Sequence, residues 1–183
     1  MHITKRHLTE ITELRHGGIA TLHTAKTADN TCVVLRALQN KFIFKPRMHQ
    51  FFLHGIRIRK KLSPCDYIVN SMFCGYSGLR PYEIIEYVPG KSLKQLMNSR
   101  HVSVKANSLT ILKQVSKALN HMHSRGIIHL DVKPENILVT SNNLEADSLQ
   151  VKLTDFDLSR RCHSGCHARL NAGTPSHMAP EQL

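Results

Sequence analysis

The sequence predicts an α+β chain, strands first and helices later, and three observations carry that reading. Ile19-Ala20-Thr21-Leu22-His23-Thr24-Ala25 alternates, and past a turn at Asp29-Asn30 comes the β-branched run Thr31-Cys32-Val33-Val34-Leu35, the pattern of an antiparallel meander. Leu109, Leu112, Val115, Leu119 and Met122 recur at three- and four-residue spacing, as on one face of a helix. Between that helix and a second pair of short strands lies the polar stretch His129-Leu130-Asp131-Val132-Lys133-Pro134-Glu135-Asn136. Pro134 keeps it from being helical, and the apolar run Ile137-Leu138-Val139 follows directly.

With 183 residues and 41% apolar content there is material for one domain or two small lobes. No apolar run is long enough to span a bilayer, and Met1-His2-Ile3-Thr4-Lys5-Arg6-His7 lacks the apolar core of a signal peptide, so the expected location is the cytosol or nucleus. Five cysteines, an odd and scattered set, fit reduced thiols better than a disulfide framework. The net charge of +12 is of a size that attracts nucleic acid, anionic membrane or acidic substrates. It is densest at Arg57, Arg59, Lys60 and Lys61, yet aromatic residues are few and do not interleave with the charges as a nucleic-acid stacking platform requires. A solvated helix face is therefore the favoured reading of that cluster, and nucleic acid the less favoured one.

In chain order, residues 8–38 read as the meander. Phe52, Leu53 and Ile56 mark a helix over 51–62, and Tyr67-Ile68-Val69 with Phe73 reads as a strand facing the core. Glu83-Ile84-Ile85-Glu86-Tyr87-Val88 is a further strand, ended by Pro89-Gly90, and Ser92 can cap a short helix over 93–98. Asn107 or Ser108 caps the long helix and Gly126 ends it. His121 and His123 near its end are metal-binding residue types, but exposed or capping roles are commoner and no ligand role is assigned to them. Residues 140–150 form a polar connection, after which Val151-Lys152-Leu153-Thr154 leads to Asp155. Cys162-His163-Ser164-Gly165-Cys166-His167 gathers residue types that hold zinc, at a spacing that fits no common finger.

The chemistry concentrates in two places. The loop carries Asp131, Lys133 and Asn136, and a short strand ends in Asp155-Phe156-Asp157. One Asp can orient a hydroxyl and accept its proton, the Lys can neutralise a moving phosphoryl group, and the Asn and second Asp can hold Mg²⁺ through oxygen. Together with Ala179-Pro180-Glu181, these blocks resemble the eukaryotic-type protein kinases, whose catalytic loop H-R-D-x-x-x-x-N is followed by D-F-G and A-P-E. Lys133 two residues after Asp131, with the Pro-Glu-Asn that follows, is similar to the serine/threonine branch, and so is Gly173-Thr174-Pro175, where Thr174 would hydrogen-bond toward Asp131 and Lys133.

The resemblance runs from about residue 14 to 181 and implies a two-lobe fold: a small antiparallel β lobe with one helix over 1–88, then a partial, mainly helical second lobe over 89–183. It implies ATP and Mg²⁺ as cofactors, with Asp131 and Lys133 catalytic, Asn136 and Asp155 on the metal, and a protein substrate or regulatory protein as partner. Glycine-rich-loop positions fall on Arg15, Gly17 and Ala20, of which Gly17 matches. The V-A-I-K lysine falls on Arg36, and the adenine-binding hinge on the backbone of Glu86 and Val88.

Several positions depart from the pattern. The helix Glu that pairs with the strand lysine falls on Gly55, and no acidic residue lies between Asn30 and Lys61, so Arg36 is expected to bind nucleotide unassisted or in a weak site. Leu130 replaces an Arg, Asp157 replaces the D-F-G glycine, and the chain stops two residues after Glu181, where the family continues with further helices. Three readings follow: a serine/threonine kinase, a pseudokinase serving as a binding module, and a truncated kinase fragment.

Overall fold

A computed structural model describes residues 5–100, 102–140, 149–162 and 173–178. The chain forms two compact units, one of Met1–Pro64 with Asn70–Tyr87 and one of Cys65–Val69 with Val88–Leu183.

In the first unit the strands β1 (Thr9–His16), β2 (Ala20–Lys26), β3 (Cys32–Leu38), β4 (Ser71–Ser77) and β5 (Arg80–Glu86) form one antiparallel sheet in the order β1-β2-β3-β5-β4. The expected meander is present, and its turn is held by Thr27, whose hydroxyl donates to Thr31 O at 3.0 Å and accepts from Thr31 N at 3.1 Å. Central β3 is buried on both faces, as its unbroken run of apolar residues around Arg36 requires. Val33, Leu35 and Ala37 pack with Leu8, Ala25, Tyr82 and Ile84 on one face, while Leu38 on the other packs with Ala20, Phe52 and Ile56. Side chains alternate along a strand, so Arg36 lies on the Leu38 face, against the helix α1 (Pro46–Leu62). That helix starts earlier than periodicity indicates because Pro46 stands at its first turn, where a missing N–H costs nothing. Arg59, Lys60 and Lys61 complement the dipole at its C-terminal end.

The strand expected from Tyr67 through Phe73 divides. Ile68 and Val69, both buried, belong to the second unit: Val69 N donates to Leu153 O and Leu153 N to Tyr67 O, each at 2.9 Å. Only residues from Ser71 onward make β4.

The second unit comprises β6 (Lys91–Ser92), the helices α2 (Leu93–Asn98), α3 (Val102–Ala106) and α4 (Ser108–His123), and the short strands β7 (Ile127–Ile128), β8 (Ile137–Thr140), β9 (Gln150–Leu153) and β10 (Arg160–Arg161). Strands β6, β8 and β9 form one small sheet, and β7 pairs with β10. Ser92 caps α2 as expected, in a reciprocal box with Gln95. Asn107 holds the N-cap position of α4 without a side-chain cap bond, and Gly126 takes a left-handed φ of +63° just beyond its end.

The buried face of α4 differs from the one the leucines suggest. Ile111, Val115, Ala118 and Met122 are buried, while Leu109 and Leu112 are 63% and 62% exposed. Two overlapping stripes satisfy the helical period, and the stripe containing small Ala118 is the one that faces inward. Gln114, beside it, clamps β9 by donating to Leu149 O and accepting from Val151 N, both at 2.8 Å.

Candidate active site

The loop between β7 and β8 lies wholly in the second unit. His129 is buried, and its Nδ1 accepts from Asp131 N at 3.2 Å. Nε2 therefore carries the proton and donates to Thr154 O at 3.0 Å, beside Asp155. Phe156 packs on the imidazole with ring centroids 5.4 Å apart, and Ser159 Oγ donates to His129 O at 3.2 Å. His129 thus braces the two acidic segments against each other. Between His129 and Asp131, Leu130 adopts φ +67°, a left-handed conformation that costs a β-carbon-bearing residue about 1–2 kcal/mol.

Asp131 is buried, and three side chains meet its carboxylate, leaving acceptor capacity on Oδ1. Lys133 Nζ lies 2.7 Å from Oδ2, Asn136 Nδ2 donates to Oδ2 at 3.0 Å and to the backbone O at 2.9 Å, and the Thr174 hydroxyl donates to Oδ1 at 2.6 Å. Lys133 Nζ also donates to Thr174 Oγ1 at 2.8 Å, closing the ring. Burial pushes the Asp131 carboxyl up, but the hydrogen bonds from Lys133, Thr174 and Asn136 and the charge of Lys133 outweigh it and leave the pKa below the ordinary Asp value. The group is an anion at neutral pH that already accepts from an aliphatic hydroxyl. Thr174 reaches it because Gly173, at φ +134°, passes so close to Leu130 O that a Cβ would sit 2.4 Å from that oxygen.

Asn136 has its amide nitrogen committed to Asp131, which leaves Oδ1 as the atom able to ligate a cation. Asp155 is exposed at φ +66°, at the end of the segment that His129 and Asn136 hold; Thr154 N donates to Asn136 O at 3.0 Å. One amide oxygen and one carboxylate form a hard-oxygen donor set, which fits Mg²⁺ shared with phosphate oxygens rather than a dedicated protein cage. Among the described residues no three His, Cys, Asp or Glu side chains gather as a metal site. Cys162 is exposed; the other members of the Cys/His cluster, His163, Cys166 and His167, lie outside the described residues, as do Ala179, Pro180 and Glu181. Asp157 is buried.

The remaining candidates divide between the units. Gly17 lies in the β1–β2 hairpin, its N–H donating to Ala20 O at 2.8 Å. Gln39, which motif reading does not single out, fastens that turn by donating from Nε2 to Gly17 O at 2.7 Å. Glu86 ends β5, where its N–H donates to Asn70 O at 3.1 Å and its Oε1 accepts from Asn70 N at 2.7 Å. Val88, half-buried, follows in the second unit.

Arg36 is not unassisted. Its Nη1 lies 3.8 Å from Oε2 of Glu83 on β5, and its guanidinium sits over the Phe52 ring of α1 at 4.4 Å. Arg59 of α1 donates to the same carboxylate oxygen. The expectation of an unpaired Arg36 considered only residues near α1, whereas the anion comes from a neighbouring strand. The available signal was a lone acidic residue inside the apolar run Pro81-Tyr82-Glu83-Ile84-Ile85.

A profile of the protein kinase domain matches residues 8–183. The chain is 29% identical over 173 residues to a probable serine/threonine-protein kinase of Clostridium acetobutylicum, covering 93% of this chain and 25% of that protein. It is 28% identical over 178 residues to the serine/threonine-protein kinase unc-51 of Caenorhabditis elegans, covering 93% of this chain and 21% of that one. Over 98 residues it is 38% identical to the probable serine/threonine-protein kinase pXi of Dictyostelium discoideum, covering 54% and 14% respectively. The chain thus spans a quarter or less of the length of these relatives.

Proposed function

The chain belongs to the protein kinase domain family, and from that premise we propose that it transfers the γ-phosphoryl group of ATP to a serine or threonine hydroxyl of a protein. The observation that carries this reading is the closed ring of Asp131, Lys133 and Thr174, with Asn136 bonded to its Asp131. Asp131 orients the incoming hydroxyl and takes its proton, and its depressed pKa keeps it ionised for that task. Lys133, held at 2.7 Å from Asp131, places positive charge where the phosphoryl group passes. Asn136 Oδ1 and Asp155 would hold Mg²⁺, which would neutralise charge on the phosphate oxygens. Arg36 and the Gly17 turn serve the phosphate chain, and the backbone of Glu86 and Val88 serves adenine. No helix among the described residues is long and apolar enough to cross a membrane, and the proposed setting is the cytosol or nucleus.

A second reading, a pseudokinase that binds a protein partner, is favoured by one specific feature: buried Asp157 stands in place of the D-F-G glycine beside Asp155, adding negative charge and restricting the backbone there. One set of measurements separates the two. Asp131→Asn should lower the initial rate of phosphoryl transfer by roughly 100- to 10,000-fold, the range of general base catalysis, while preserving the rise in melting temperature with MgATP. Full activity in Asp131→Asn removes Asp131 from the mechanism. A wild-type melt indifferent to MgATP favours the pseudokinase.

A further inference from the structure

Arg36, Glu83 and Arg59 form a buried charge cluster within the first unit, 6%, 0% and 1% exposed. Arg36 and Glu83 are directly opposed in the β3–β5 register, so their side chains share a face of the sheet, the face against which α1 lies. Arg59 reaches that face from the last turn of α1, and Phe52, two turns earlier on the same helix, supplies the ring under the Arg36 guanidinium. The helix therefore meets the sheet through a cation and an aromatic face, and the anion between the two arginines is carried by β5.

We infer that Glu83 is the positioning residue of the first unit: its carboxylate holds the Arg36 guanidinium in place and at the same time latches α1 to the sheet through Arg59. The inference deepens the proposed function, since Arg36 is there assigned to the phosphate chain. Its physical basis is the high cost of a buried charge that loses its counter-ion. Glu83 is wholly buried between the two arginines, so neutralising it takes a buried counter-ion from both. Moving α1 away from the sheet would strand Glu83 and uncover the Phe52 face that Arg36 occupies. The helix is consequently held by residues of the chain itself, without an acidic residue on the helix. The latch has no counterpart at Gly55, which lacks a side chain to make one.

The test uses the full chain labelled with ¹⁵N-arginine, comparing wild type, Glu83→Gln and the apolar pair Arg59→Met/Glu83→Leu. In wild type the Arg36 and Arg59 Nε–H resonances should be protected from solvent exchange. Glu83→Gln should lower protection at Arg36 and speed amide exchange in α1 by about 100-fold, with β8 and β9 unchanged, as expected for breaking a buried ion pair in one unit. The apolar pair keeps α1 packed while removing the anion, so its helix amides should remain protected while the Arg36 Nε–H exchanges faster than in wild type. It serves as the deciding variant if Glu83→Gln does not fold. Persistent Arg36 protection in either variant overturns the inference. The MgATP response is recorded separately: it should weaken in both variants if Arg36 serves the phosphates. A wild type without that response defeats the proposed function, and the arginine resonances still decide the role of Glu83.

Discussion

The Thr174 hydroxyl donates to Asp131 Oδ1 at 2.6 Å and accepts from Lys133 Nζ at 2.8 Å, so one side chain ties the loop's anion to its cation. Thr174→Val removes both contacts at nearly constant volume and should lower the transfer rate by roughly tenfold or more, because misplacing Lys133 and Asp131 costs orientation. Thr174→Ser keeps the hydroxyl and should retain most of the rate. Steady-state rates of the two variants check this, and equal losses in both would assign Thr174 a packing role.

Asp131 also makes stability depend on pH. Burial raises its pKa, and the bonds from Lys133, Thr174 and Asn136 lower it by more, so its folded value lies below its unfolded one. The stabilisation is then complete above the ordinary Asp pKa of about 3.9 and is lost as pH falls through the depressed folded value. The melting-temperature difference between wild type and Asp131→Asn should be flat from about pH 6 to 8 and shrink below about pH 4. Thermal melts across that range measure it.

Gln114 bonds Leu149 O and Val151 N, both on residues that are themselves buried. Gln114→Leu leaves these backbone groups without their partner and should destabilise the chain by about 1–3 kcal/mol. The Val151 amide should exchange faster in the variant, which hydrogen-exchange measurements would register.

The inward face of α4 can be tested by substitution. Ile111→Ala should cost about 2–5 kcal/mol, the range for truncating a buried aliphatic side chain, whereas Leu109→Gln with Leu112→Gln should change stability by no more than about 0.5 kcal/mol each. Urea denaturation compares them. A large loss in the leucine variant would mean that those side chains are covered in solution.

Much of the second unit's site was legible because its residues are close in sequence. Asp131, Lys133 and Asn136 sit on one short loop, and the alternation of 19–25 with the β-branched run 31–35 is enough to place two neighbouring strands. The Thr174 contact was legible too, through its motif. Periodicity placed Val115 and Met122 on the inward face of α4 but added Leu109 and Leu112, because leucines dominate a hydrophobic count, whereas close packing selects Ile111 and Ala118 in their place. It also merged 67–69 with β4, because one apolar run supplied residues to both units.

By itself the sequence determined which functional groups stand together: an Asp–Lys–Asn loop, a second Asp at a strand end, and the order of strands and helices that carries them. The tertiary structure alone decided which charges meet. Arg36 and Glu83 are far apart in the chain and become neighbours through the β3–β5 register, and Arg59 joins them only once α1 lies on that face. Ion pairing depends on separation in space, which strand register sets and residue spacing along the chain does not encode.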